Sequence, residues 1–240
     1  MSSNGTRAGD IVAQVHAQLR AAILSGDIRP GERTSQAELA RDLGVGRTPL
    51  REAVRMLQNE GLILAEPNRR VEIARLSLDD AEELYVARIT LEAAAARITT
   101  PLLTAIDIAE LEGYMAQMAH FASMELAQFR GPHRTFHERF LYQAGPRLQR
   151  LIAELNDHAE RYRRAYGGVG GPQIELREVE HRAILTAAAA GDADGVATAL
   201  AVHYVKTARR VTSALDPGRK LGKLQTTVAA LAPEAMYAFD

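Results

Sequence analysis

The sequence predicts a mainly α protein in two parts, an N-terminal winged helix-turn-helix and a C-terminal all-helical bundle of about six helices. Three observations predict it. Apolar residues recur at helical spacing through alanine-rich stretches, with aromatics at only 5%. Strand-like runs are scarce and gather between residues 62 and 74. The segments before and within that region follow the order helix, helix, tight turn, helix, hairpin. The expected division is a flexible N-terminus (1–10), a winged helix-turn-helix (11–76), an all-helical effector-binding and dimerisation domain (77–215) and a C-terminal tail (216–240) with no assigned structure.

Each element follows from local chemistry. Ile11, Val15, Leu19 and Ala22 form one stripe of a helix that stops at Ser25-Gly26. Arg29-Pro30-Gly31 is a turn. Ser35 and Glu38 have capping-box spacing, so a short helix runs from about Gln36 to Leu43 and ends at Gly44. Thr48-Pro49 offers a capping residue followed by a first-turn proline. The helix it starts carries Leu50, Ala53, Val54 and Leu57 and closes at Gly61. Leu62–Glu66 and Val71–Ala74 flank Pro67-Asn68-Arg69 as a hairpin.

From Ser77 onward the chain reads as helix. Ser77 precedes Asp79 and Asp80, which suit the positive end of a helix dipole, and this helix runs to about Ile98. Thr100-Pro101 starts a second, to about Ala122. Further helices are expected over 124–142, 147–166, 174–190 and 192–215. Breaks fall at Gly131-Pro132, Gly145-Pro146, 167–172 and Gly191.

Composition excludes whole classes. Apolar residues at 47% and charged residues at 25% allow an ordinary core and exclude wholesale disorder. The absence of cysteine removes disulfides, thiolate metal sites and cysteine nucleophiles. No apolar run approaches the ~18–20 residues of a membrane span, so the expectation is a soluble cytoplasmic protein with no membrane partner. Residues 1–76 hold eleven arginines and nine acids, a mild excess that would not by itself reveal a nucleic-acid binder.

Two constellations carry chemistry. Arg47, Arg51 and Arg55 recur every four residues and share a helix face opposite Leu50, Val54 and Leu57. Such a row on the second helix of a helix-turn-helix can meet guanine edges or phosphates in the major groove. On an arbitrary helix it would be a solvated face paired with Glu52 or Glu60. The second constellation is four of the seven histidines. His133 and His137 are one helical turn apart, and His181 and His203 fall on the last two bundle helices. Together they make a feasible cage for a divalent first-row metal; a surface histidine pair is the alternative. Glu138 and Glu180 adjoin these histidines in sequence, but neighbours on a helix point elsewhere.

The run Pro30-Gly31-Glu32-Arg33, Glu38-Leu39-Ala40, Leu43-Gly44-Val45, Arg47-Thr48-Pro49-Leu50-Arg51-Glu52-Ala53-Val54 and Glu60-Gly61-Leu62 resembles the N-terminal domain of GntR-type bacterial transcription regulators. The resemblance implies that Arg47, Thr48 and Arg51 touch double-stranded operator DNA and that the wing, with Arg69 and Arg70, reaches the minor groove. Arg55 extends the same face. The family usually has glycine where this chain has Arg70.

The second half resembles the FadR subfamily with its all-helical FCD-type ligand-binding domain. Glu83-Leu84-Tyr85-Val86-Ala87-Arg88 with Glu92, then Phe136-His137, Glu180-His181, Gly191-Asp192 and Val202-His203-Tyr204 carry the likeness. Metal-binding members use an Asp and three histidines. His137, His181 and His203 match the histidines, and His133 stands at the Asp position. The resemblance therefore implies a four-histidine site, and loss of the carboxylate favours zinc or nickel. It also places Arg88 near a pocket for small carboxylates. The expected function is a DNA-binding regulator, a homodimeric repressor that responds to a carboxylic acid bound beside the metal. A metal-dependent hydrolase using the same histidines is the alternative.

Overall fold

A computed structural model describes residues 8–65, 70–122, 126–166 and 172–239. The chain divides into two compact units, Met1–Ser77 and Leu78–Asp240.

The first unit contains α1 (Ala8–Ser25), β1 (Arg33–Ser35), α2 (Gln36–Asp42), α3 (Arg47–Asn59), β2 (Ile63–Ala65) and β3 (Arg70–Ile73). Ser35 and Glu38 form the expected capping box at the start of α2. At its end Gly44 takes φ +65°, and Val45 N–H returns to the Ala40 carbonyl at 2.9 Å. This glycine-closed turn aims α3 away from α2. α3 ends the same way, with Gly61 at φ +70° and Leu62 N–H on the Leu57 carbonyl. Its start differs from expectation. Gly46, in extended backbone, is the capping residue and supplies no side-chain bond, so Thr48 lies inside the first turn. Pro49 is still tolerated there, because first-turn N–H groups have no partner within the helix.

The hairpin is present, and β1 joins it to give a three-stranded antiparallel sheet in the order β1-β3-β2. Val71 and Ile73 of β3 and Ile63 of β2 are buried against Val15, Leu19 and Ile23 of α1 and Leu50, Ala53, Val54 and Leu57 of α3. Burying these side chains contributes ~1.5–3 kcal/mol for each large one. The hairpin tip, with Arg69, lies outside the described residues.

The second unit is a helical bundle: α4 (Leu78–Thr99), α5 (Ala105–Ala122), α6 (Leu126–Arg139), α7 (Pro146–Tyr166), α8 (Pro172–Ala189), α9 (Ala193–Ser213) and α10 (Gly222–Leu231). Its centre is formed by Tyr85, Ile89, Phe136, Phe140, Tyr204 and Val205. Two differences from expectation stand out. Thr100-Pro101 begins only a single 3-10 turn, Thr100–Leu102, and α5 starts after Thr104. Gly131-Pro132 does not break α6, which runs through Pro132. The proline removes one backbone donor, but its partner carbonyl belongs to exposed Gln128, and buried Phe136 and His137 hold the helix in place beyond it.

The segment after Asp216 is also structured. Leu221, Leu224, Val228, Ala232, Ala235 and Ala238 all enter the bundle core. Buried Glu82 on α4 accepts hydrogen bonds from the backbone N–H of Lys223 (2.7 Å) and Leu224 (3.2 Å), so a carboxylate from another helix caps α10.

Candidate metal centre and DNA-reading face

In the first unit, α3 presents Arg47, Thr48, Arg51 and Arg55 on its exposed face while Leu50, Ala53, Val54 and Leu57 are buried. Glu60 does not pair with this row; it meets His16 and, at 2.8 Å, Arg20 of α1. Arg51 has only a long contact to Glu52 at 3.7 Å, with two thirds of its side chain exposed. Arg70, at the start of β3, is exposed as well. The row therefore keeps its charge toward solvent.

In the second unit, His133, His137, His181 and His203 offer one donor atom each within 4.8 Å of one another. α6 supplies the first two at one-turn spacing, α8 the third and α9 the fourth. His137, His181 and His203 are buried and His133 is partly exposed. Nε2 of His137 and Nε2 of His181 are 3.2 Å apart. Burial, then mutual repulsion, holds the pKa of His133, His137 and His203 well below the ordinary imidazole range. These rings are neutral near pH 7, the state a metal ligand requires.

Neighbouring groups orient two of the rings. Nδ1 of His203 lies 2.8 Å from Oε2 of Glu180. A carboxylate only accepts, so Nδ1 carries the proton and Nε2 keeps its lone pair for the cage. Nδ1 of His137 lies 3.2 Å from the Tyr204 hydroxyl, which in turn donates to Glu92. Burial and then Glu92 push the Tyr204 pKa well above its ordinary value, so it stays protonated. Its proton goes to Glu92, and its oxygen accepts from His137, again leaving Nε2 for the cage. Carboxylate–histidine contacts of this kind typify metal sites. The donor chemistry thus fits a divalent ion.

Arg88 is 1% exposed and donates to Glu92 at 2.8 Å. Its guanidinium also lies 4.1 Å from the Tyr204 ring centroid. Burial, the largest influence, pulls its pKa down, but Glu92, Tyr204 and Tyr85 together outweigh it and hold the pKa above the ordinary value. Nη1 of Arg88 and the hydroxyl of Tyr85 are buried without a hydrogen-bond partner. Such orphaned donors are costly, and an acceptor from a bound anion would satisfy them.

Sequence reasoning missed the roles of Tyr204 and Glu180. Glu180 adjoins His181 but reaches His203 on α9, and a pairwise reading of one helix does not reveal that contact. Arg210, on α9, holds the same carboxylate at 3.1 Å. Glu138 instead pairs with Arg134 at 2.7 Å. A groove of about 750 Å³ is lined among others by Glu180, Val202, Lys206 and Tyr237.

An exposed arginine helix within a winged helix-turn-helix, joined in one chain to a helical bundle, is the architecture of a transcription regulator. Residues 11–73 match the family described as bacterial regulatory proteins, gntR family, and residues 83–206 match the FCD domain. The chain belongs to the GntR family and carries an FCD domain. It is 27% identical over 216 residues to the uncharacterized HTH-type transcriptional regulator YdhC of Bacillus subtilis, covering 86% of this chain and 93% of that protein. It is 27% identical to the HTH-type transcriptional repressor RspR of Escherichia coli, covering 82% and 87%. The fold of E. coli McbR/YncC superposes with a TM-score of 0.67 over 98% of this chain and 99% of that one, at 20% identity. The relatives are regulators rather than enzymes, which sets the hydrolase alternative aside. Among the described residues no helix is long and apolar enough to cross a membrane.

Proposed function

We propose that this regulator grips a pseudo-palindromic operator as a homodimer and releases it when a small carboxylic acid binds beside a metal ion. Arg47, Thr48, Arg51 and Arg55 enter the major groove, and Arg69 and Arg70 of the wing approach the minor groove. Two copies are needed because one recognition helix reads too few bases for genomic specificity.

His133, His137, His181 and His203 hold the divalent ion, with zinc or nickel suited to an all-imidazole set. When bound, the ion supplies positive charge and open coordination positions for a carboxylate. Arg88 meets the same anion through its orphaned Nη1, with Tyr85 beside it. The observation that carries this reading is the convergence of four imidazole donors from three helices within 4.8 Å. Some FCD domains hold metal ions, which agrees with it. Repression relieved by effector is the proposed direction, in keeping with the name of the E. coli relative. A coupling energy of about 1–3 kcal/mol between the two sites suffices for a several-fold or greater change in operator affinity.

The test is a mobility shift on the DNA upstream of the gene for this protein. The proposal expects a sequence-specific complex that weakens when zinc and a bound carboxylic acid are added together. Binding without sequence preference would overturn it.

A further inference from the structure

Three arginines converge on a single carboxylate beside the cage. Glu160 of α7 meets Arg130 of α6 (3.0 Å), Arg163 (2.9 Å) and Arg164 (3.3 Å). All four side chains are between 20% and 29% exposed, so water screens them only in part. Among the described residues, Arg130 and Arg163 meet this one carboxylate, which leaves the pair net positive. Burial, with smaller contributions from Arg164 and Arg163, outweighs the Glu160 attraction and lowers the Arg130 pKa.

The group is placed against the histidines by helix geometry. Arg130, His133 and His137 fall at i, i+3 and i+7 on α6 and form one stripe. Arg130 is thus one turn, about 4.5 Å along the axis, beyond His133. His133 is the partly exposed member of the cage. Arg163 is a minor one of the charges acting on His133, His137, His203 and Tyr204, after burial and nearer groups. Arg134, next to His133 in sequence, is held by Asp157 at 2.7 Å and Glu138 at 2.7 Å and carries no such excess.

We propose that Arg163, with Arg130 and Arg164, forms a second anion subsite, and that the effector is a short-chain organic dianion bridging it to the histidine cage. One carboxylate occupies the metal side with Arg88. The other displaces part of the Glu160 contact and is gripped by Arg163, whose planar fork suits bidentate recognition. A monocarboxylate fills only the first subsite and makes no contact with Arg163. This rests on the metal-and-carboxylate reading above.

The test is isothermal titration of zinc-loaded full-length protein with succinate and glutarate, against butyrate and valerate. The wild type should bind at least one diacid roughly tenfold to hundredfold more tightly than its monoacid counterpart, the value of one charge-assisted contact. Arg163→Gln should erase that preference with little change for butyrate, and Arg163→Lys should recover part of it. Circular dichroism and zinc content, unchanged in both variants, would show that the fold and cage persist. Should Arg163→Gln fail to fold, Arg130→Gln carries the same expectation. Equal binding of diacids and monoacids by zinc-loaded wild type would overturn the second subsite alone. Wild type that takes up no zinc would overturn the metal reading and this one with it.

Discussion

His203 and Glu180 are joined through Nδ1 and Oε2 at 2.8 Å, across two helices of the bundle. The contact fixes which ring nitrogen faces the cage, and Arg210 donates to both oxygens of the same carboxylate, at 3.1 and 3.3 Å. Position 180 therefore matters to the cage without belonging to it.

Glu180→Gln should weaken zinc binding by about 10- to 100-fold, the usual cost of losing such a partner. Competition with a chromogenic chelator measures it. Unchanged affinity would show that His203 needs no orienting group.

On the DNA side, Arg51→Ala should cost roughly 1–3 kcal/mol of specific binding if the side chain meets a base. A phosphate contact would instead lower the slope of affinity against salt by about one. Fluorescence anisotropy at several salt concentrations separates the two. No change in either quantity would remove Arg51 from the interface.

The segment after Asp216 contributes core. Leu224 is fully buried, so Leu224→Ala should destabilise the second unit by about 2–5 kcal/mol. Urea unfolding of the full chain reads this directly. A cost well below 1 kcal/mol would mean that the segment is a dispensable appendage.

Asp107 gives a pH signature. Its carboxylate accepts from the Thr104 backbone N–H at 2.6 Å and hydroxyl at 2.7 Å and pairs with Arg139. The Thr104 hydrogen bonds, more than Arg139, hold its pKa below the ordinary carboxylate value. A depressed native pKa means the stabilisation is full above about pH 4 and is lost as pH falls through the lower native value. Asp107→Asn lacks this dependence. The stability gap between wild type and variant should narrow as pH drops from 6 toward 2.5, and a gap independent of pH would contradict the assignment.

Most of the fold is legible in the sequence, because capping, glycine closure and apolar spacing are local signals. The Ser35–Glu38 box and the glycines after α2 and α3 have their structural roles written within a few residues. What escapes is set by distant contacts. β1 is three polar residues that become a strand only because β3 offers an edge. α10 is capped by Glu82, some 140 residues away in sequence. Pro132 reads as a break until Phe136 and His137 are seen packed beyond it. The histidine set is visible as spacing plus family likeness, whereas Glu180, Tyr204 and the Glu160 arginine group emerge only when α6, α7, α8 and α9 are brought together.

The most direct measurement of the central claim is elemental analysis of protein purified without an affinity tag, beside a His137→Ala, His203→Ala double variant. The account predicts about one divalent ion per chain in the wild type, the capacity of one four-ligand site, and almost none in the variant. Equal metal content in the two proteins would contradict it.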